Sequence, residues 1–205
     1  MTVRRSLCWR LNWYRQSELE GALLLGRVVR YVRDPYLVHQ LTQHCADEAR
    51  HAWLWQRTLD ALTLPIIRIR RSYQSFYLDE TPAPRGLVEV LALTHVFEHR
   101  VHLHFSEELT RPDLPDLVCR TFRLLLRDEA NHLNWIAQWL ATQDGIDRTL
   151  RRYRLADERV VQRLEPYGDR LWDLDGLGEE LTEEHHAGRS DAEEQLHEAQ
   201  PQHSA

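Results

Sequence analysis

The sequence predicts an all-α fold organised as an antiparallel four-helix bundle, and three observations carry that expectation. Through residues 1–168 apolar side chains recur at steps of three and four, glycine is scarce, and strand-like alternation is nearly absent. Two short strings almost repeat each other: Asp47-Glu48-Ala49-Arg50-His51 and Asp128-Glu129-Ala130-Asn131-His132. Each is preceded at a matching distance by another glutamate on an apolar stripe. Glu18 lies 30 residues before Glu48, and Glu98 lies 31 before Glu129.

The first helix is expected over about Asn12 to Arg33, on a stripe through Leu11, Tyr14, Glu18, Gly21/Ala22, Leu25 and Val28. Asp34-Pro35 makes a short turn and places proline in the first turn of the second helix. That helix carries Leu37, Leu41, His44, Glu48, His51, Trp55 and Leu59 on one face. From Pro65 to about Gly86 the chain is too long for a hairpin turn. It is expected to be a crossover that lets the second and third helices run parallel; an edge strand at Ile66-Ile67-Arg68-Ile69 is the weaker reading. The third helix carries Leu87, Leu91, Glu98, Phe105 and Leu109, and the break at Arg111-Pro112 to Pro115 separates it from the fourth. The fourth carries Val118, Phe122, Leu125, Glu129, His132, Ile136 and Leu140, and a fifth covers about Ile146 to Leu164.

Composition divides the chain near residue 168. Residues 169–205 hold eleven acids and two arginines, which leaves 24 basic and 21 acidic residues before them, so the formal net charge of −6 describes the tail. The expected organisation is a helical domain over 1–168 and an acidic, disordered tail over 169–205, too poor in apolar groups to offset the entropy of ordering. All 26 basic residues are arginine, which reads as the codon bias of a GC-rich, bacterial genome. The near-neutral domain has no concentrated basic face, which argues against nucleic acid as a partner. Three scattered cysteines make no disulfide framework, no C-x-x-C pair is present, and neither a signal peptide nor a membrane span is visible. A cytoplasmic location is the expectation, and a homodimer is compatible with the sequence.

Chance placement of eighteen Glu and twelve His in this chain gives about one Glu-x-x-His. Four occur. Glu183/His186 and Glu194/His197 lie in the polar tail and are assigned to chance. Glu48/His51 and Glu129/His132 lie on apolar helix faces, where an unpaired carboxylate is very costly. Residues three apart on a helix point to one side, so each pair can reach one ion. With a further carboxylate from the first and third helices, the expected metal ligands and catalytic residues are Glu18, Glu48, His51, Glu98, Glu129 and His132. Carboxylate-rich ligation with one imidazole per ion suits two iron ions, with manganese or a mixed pair as the alternative. Glu20 competes with Glu18 but sits on a stripe with polar residues and Arg27. The competing reading is a metal-free bundle neutralised by Arg50, Arg100 and Arg127. His44, His95 and His102 lie on the same faces as Glu48 and Glu98 and are candidate extra ligands or hydrogen-bond partners of ligands. Tyr14 is a candidate redox neighbour one turn before Glu18, and Gly21 and Ala22 are expected to leave room for a substrate. His39, His99 and His104 are expected on the surface.

Over about residues 11–142, on Glu18, Asp-Glu-Ala-Arg-His51, Glu98 and Glu129 with His132, the chain resembles the ferritin-like di-iron carboxylate superfamily. The string Asp128-Glu-Ala-Asn-His-Leu-Asn-Trp135, followed by Trp139-Leu140, is similar to the last helix of the aldehyde-deformylating oxygenases. The resemblance implies a di-iron oxidase or oxygenase that uses O₂ or peroxide, an external electron donor and a small apolar substrate. Its alternatives are a rubrerythrin- or ferritin-like protein that handles iron or peroxide without an organic substrate, and a metal-free interaction module of the same fold.

Overall fold

The computed structural model describes residues 2–168, with side chains from Arg5 onward. The acidic segment 169–205, expected to be disordered, lies outside the described residues. Six helices follow in order: α1 (Thr2–Val29), α2 (Pro35–Ala61), α3 (Tyr73–Glu80), α4 (Leu87–Glu108), α5 (Asp116–Leu140) and α6 (Ile146–Leu164). Among the described residues there is no strand, so Ile66–Ile69 does not form an edge. No described helix is long and apolar enough to cross a membrane.

Local chemistry sets several boundaries. The Asp34 carboxylate accepts the Leu37 N–H at 2.9 Å, and Pro35 occupies the first turn, where no N–H is needed. Gly86 (φ 82) and Gly145 (φ 68) precede α4 and α6 in the left-handed region that glycine enters without a Cβ clash. Two expectations are corrected. Asn12 does not start α1; it lies mid-helix, because its amide serves the crossover instead of a helix end. Its Nδ2 donates to the Pro65 carbonyl at 3.1 Å, and its Oδ1 accepts the Ile67 N–H at 3.1 Å. Trp13 Nε1 donates to the Arg71 carbonyl at 2.9 Å beside it. The crossover therefore lies along the middle of α1, where Trp13 is buried beside it. It also contains α3, where the sequence suggested only a connection.

Contact registers give the helix directions. Trp55 meets Glu18 and Cys45 meets the Ala22 carbonyl, so α1 and α2 are antiparallel. Arg10 with Glu108 and Tyr14 with His104 make α1 and α4 antiparallel. Thr58 with Thr121 and His51 with Asp128 do the same for α2 and α5, and Phe105 with Phe122 and Glu98 with Glu129 for α4 and α5. It follows that α2 and α4 run parallel, which requires a long connection between them. The apolar stripes face one core, in which Leu41, Leu91, Leu125, Ile136 and Phe122 are fully buried.

The last helix is tied to the bundle by a buried acid. Asp157 accepts the Tyr77 hydroxyl at 2.5 Å and Arg100 through Nε at 3.0 Å and Nη2 at 2.6 Å. One side chain thus fastens α6 to both α3 and α4. Asp157→Ala leaves the half-buried Arg100 guanidinium without its partner and should cost about 3 kcal/mol, toward the low end for a broken buried pair because Arg100 reaches water. Urea unfolding monitored by circular dichroism reads this directly; a loss below the scatter of surface substitutions contradicts the anchoring role.

Candidate metal centre

Halfway along the bundle, α1, α2, α4 and α5 each turn acidic side chains inward. Seven residues meet there: Glu18, His44, Glu48, His51, Glu98, Glu129 and His132, all buried. They form two groups of four, each with one ligand atom per residue and all four atoms within 4.8 Å of one another. One group is Glu18, Glu48, His51 and Glu129; the other is His44, Glu48, Glu98 and His132. Glu48 belongs to both. The six residues expected from the sequence are all present, and His44 is added from the three extra histidines.

The imidazoles are aimed. His51 Nδ1 lies 3.5 Å from Glu18, 3.7 Å from Glu48 and 3.4 Å from Glu129. His132 Nδ1 lies 3.5 Å from Glu48 and 3.4 Å from Glu129. His44 Nε2 lies 3.3 Å from Glu98 and 3.4 Å from Glu48, and its ring stacks on His132 at 3.6 Å between centroids. His51 Nδ1, His132 Nδ1, Glu48 Oε1 and Glu129 Oε2 are buried and form no hydrogen bond. Inward-facing polar atoms without partners are what a bound cation would satisfy.

The outer nitrogens are held in a crossed pattern. His51 Nε2, from α2, faces Asp128 of α5 at 3.1 Å; His132 Nε2, from α5, faces Asp47 of α2 at 3.4 Å. Each Asp of the repeated string therefore orients the histidine of the other copy, leaving Nδ1 free for a ligand role. Helix periodicity gives these aspartates no role, although each stands directly before a motif glutamate in the repeated string. Arg50 spans Asp47 at 3.0 Å and Asp128 at 2.6 Å, closing the outside of the pair. The arginines proposed as neutralisers thus bond elsewhere: Arg50 to these aspartates and Arg100 to Asp157, while Arg127 is exposed.

Burial and charge oppose each other at the centre. Desolvation, then the neighbouring carboxylates, pushes Glu48 and Glu129 well above the usual carboxyl range. Burial also works against the Glu98 charge, but contacts with Glu129 and His44 outweigh it and hold Glu98 low. In His51, desolvation is overcome by Glu18, Glu48 and Asp128, and the ring rises to about 9. Desolvation and the neighbouring His44 lower His132 to about 4. Without metal, protons must therefore stand in for cations here.

Other expected residues lie differently. Glu20 points away from the centre, accepting from Gln16 at 2.9 Å and from the Ser72 hydroxyl. His95 and His102 are half-buried on α4 and join neither group, though the Nδ1 of each is buried without a hydrogen bond. Tyr14 also stays outside both groups; it bonds His104 Nε2 at 2.7 Å and packs on Trp55. His104 is thereby corrected from a surface residue: desolvation, with Arg10, Arg100 and Arg111, lowers it to about 4. His39 and His99 are exposed. Gly21 is a second correction. A Cβ there would lie 2.8 Å from Glu48 Oε2, so the missing side chain makes room for the Glu48 carboxylate and not for a substrate.

No family model, curated protein or solved structure matches the chain.

Gly21→Ala should displace Glu48 from both groups while leaving the helix intact. Metal titration should show affinity lowered by about tenfold or more, as when a ligand's support is disturbed, with an unchanged helical spectrum; unaltered affinity contradicts the close packing of Gly21 on Glu48. A second expectation concerns pH. His51 is protonated in the folded chain up to about 9 but only to about 6.5 when unfolded, so the folded state holds the extra proton between those values. His51 alone should cost the metal-free protein about 3 kcal/mol of stability as pH rises from 6.5 to 9, and the raised Glu48 and Glu129 add a loss in the same direction that starts from the ordinary carboxyl range. His132 acts in another window, losing stability as pH drops from 6.5 toward 4. A divalent ion bound there would take the place of the His51 proton, so added metal should remove the alkaline loss. Melting curves with and without metal test this; a metal-free protein that gains stability toward pH 9 contradicts it.

Proposed function

We propose that this chain is a two-metal carboxylate oxidoreductase with a ferritin-like arrangement of α1, α2, α4 and α5, that its metals are iron or an iron–manganese pair, and that it activates O₂ to oxidise a small apolar substrate. The observation that carries the reading is the set of seven buried metal-ligand side chains on four helices, with inward atoms that have no hydrogen bond and two outer aspartates fixing the histidines. Two divalent cations balance the four glutamates, which protons otherwise have to do.

Two adjacent redox-active ions, when bound, would supply O₂ with two electrons at one place. The chain's own residues would hold them, with Glu48, common to both groups, serving both positions. His51 and His132 cannot turn away, because Asp128 and Asp47 hold their outer nitrogens. Trp55 donates toward Glu18 at 3.4 Å, and Trp135 packs edge-on to His44 at 5.9 Å. The nearest surroundings are therefore aromatic, which favours a hydrocarbon-like or aromatic substrate over a sugar or phosphate. An external donor must return the electrons, since the sequence carries no C-x-x-C iron site of its own.

Handling of iron or peroxide without an organic substrate is the second reading, which the same seven side chains would also serve. Protein purified after growth with ample iron should hold two metal ions per chain. After anaerobic reduction it should consume O₂, and some member of a panel of fatty aldehydes, fatty acids and aromatic acids should speed decay of the oxidised centre's absorption. Metal near zero in an intact bundle would falsify the two-metal reading; metal with peroxide as the better oxidant and no response to the panel favours the second.

A further inference from the structure

The two halves of the centre are not equivalent, and one residue makes the difference. Glu18, Glu48, His51 and Glu129 offer three carboxylates and one imidazole; His44, Glu48, Glu98 and His132 offer two of each. The near-repeat that aligns Glu48 with Glu129 and His51 with His132 breaks four residues upstream, where His44 corresponds to Leu125. Both are fully buried, yet Leu125 is a core hydrocarbon and His44 is wedged between Glu48, Glu98 and the His132 ring. The outer aspartates are near-symmetric, one on each motif histidine, so they do not distinguish the halves.

On this basis, and resting on the two-metal reading above, we propose that the centre holds two chemically distinct metal positions that select different ions. The carboxylate-rich position, built on Glu18, favours a hard ion such as Mn(II). The imidazole-rich position, built on His44 and Glu98, favours later divalent ions of the Fe(II), Co(II) and Zn(II) class. Carboxylate oxygen suits the early, hard cations, and imidazole nitrogen suits the later, softer ones. Glu129 reaches both motif histidines, at 3.4 Å from each Nδ1, so His44 is the residue that sets the two positions apart. Glu48 serves both groups, so filling one position would orient its carboxylate for the other.

The test uses the full chain stripped of metal, with Mn(II) and Co(II) as probes. An excess of each, supplied together and then freed of unbound metal, should still give one Mn and one Co per chain by elemental analysis. Titrated singly, His44→Leu, which copies the Leu125 half, should weaken Co(II) binding at the first step by about tenfold or more while first-step Mn(II) binding stays within about twofold. Glu18→Gln should do the reverse. His44→Gln repeats the test with a polar side chain should the leucine disturb packing, and the circular dichroism spectrum of each variant verifies the fold. Two identical binding steps in the parent protein, or variants that weaken both metals equally, overturn the inference and leave the two-metal reading standing. No binding of either metal by the folded parent overturns both.

Discussion

Four glutamates buried at one level of a helical bundle cannot all carry their charge unless cations lie among them. The rest of the centre is arranged around that constraint. Among the described residues no arginine enters to neutralise them: Arg50 stays outside with Asp47 and Asp128, and Arg100 is committed to Asp157. Without metal, protons have to serve instead. They settle unevenly, with Glu48 and Glu129 raised, Glu98 lowered and the His51 ring charged. Such an arrangement costs stability, and a bundle with leucines at these positions would avoid the cost. Its retention makes chemical sense where the charge serves a ligand.

The supports show how a rigid centre is obtained from flexible side chains. Each motif histidine is gripped from across the α2–α5 interface by the aspartate of the opposite motif. Pulling the two helices apart would break both supports together, so the geometry of the centre and the packing of the pair are a single property. Gly21 plays the complementary part on α1, letting the Glu48 carboxylate approach the α1 backbone closely enough to lie between the two groups. A single departure from the near-repeat, His44 against Leu125, then turns two similar half-sites into unlike ones.

The crossover links this centre to the fold. Parallel α2 and α4 require a long connection, and this one lies along α1, where Asn12 and Trp13 hydrogen-bond to its backbone. Its embedded helix α3 reaches α6 through Tyr77 and Asp157. The buried acid at Asp157 has a full set of partners and serves packing, whereas Glu48 and Glu129 at the centre each keep an oxygen without a hydrogen bond. That contrast separates a structural carboxylate from a candidate ligand more clearly than burial does.

Much of this was legible in the sequence because it depends on period and charge. The steps of three and four mark the faces that are buried, and glutamates on such faces signal a buried charge whatever the tertiary detail. The matching 30- and 31-residue spacings placed Glu18 with Glu48 and Glu98 with Glu129, and the purer apolar stripe separated Glu18 from Glu20. What the sequence left open depended on contacts between segments distant in the chain. Asn12 resembles a helix start until the crossover backbone occupies its amide. His44, His95 and His102 share the right helix faces, but which imidazole reaches the carboxylates is decided by side-chain direction and by the ring of His132, 88 residues beyond His44. His104 resembles a surface residue until Tyr14 from another helix covers it. Helix periodicity fixes a face to within a turn, whereas ligation, hydrogen bonding and close packing are decided within about an ångström, and only the packed helices set distances that finely.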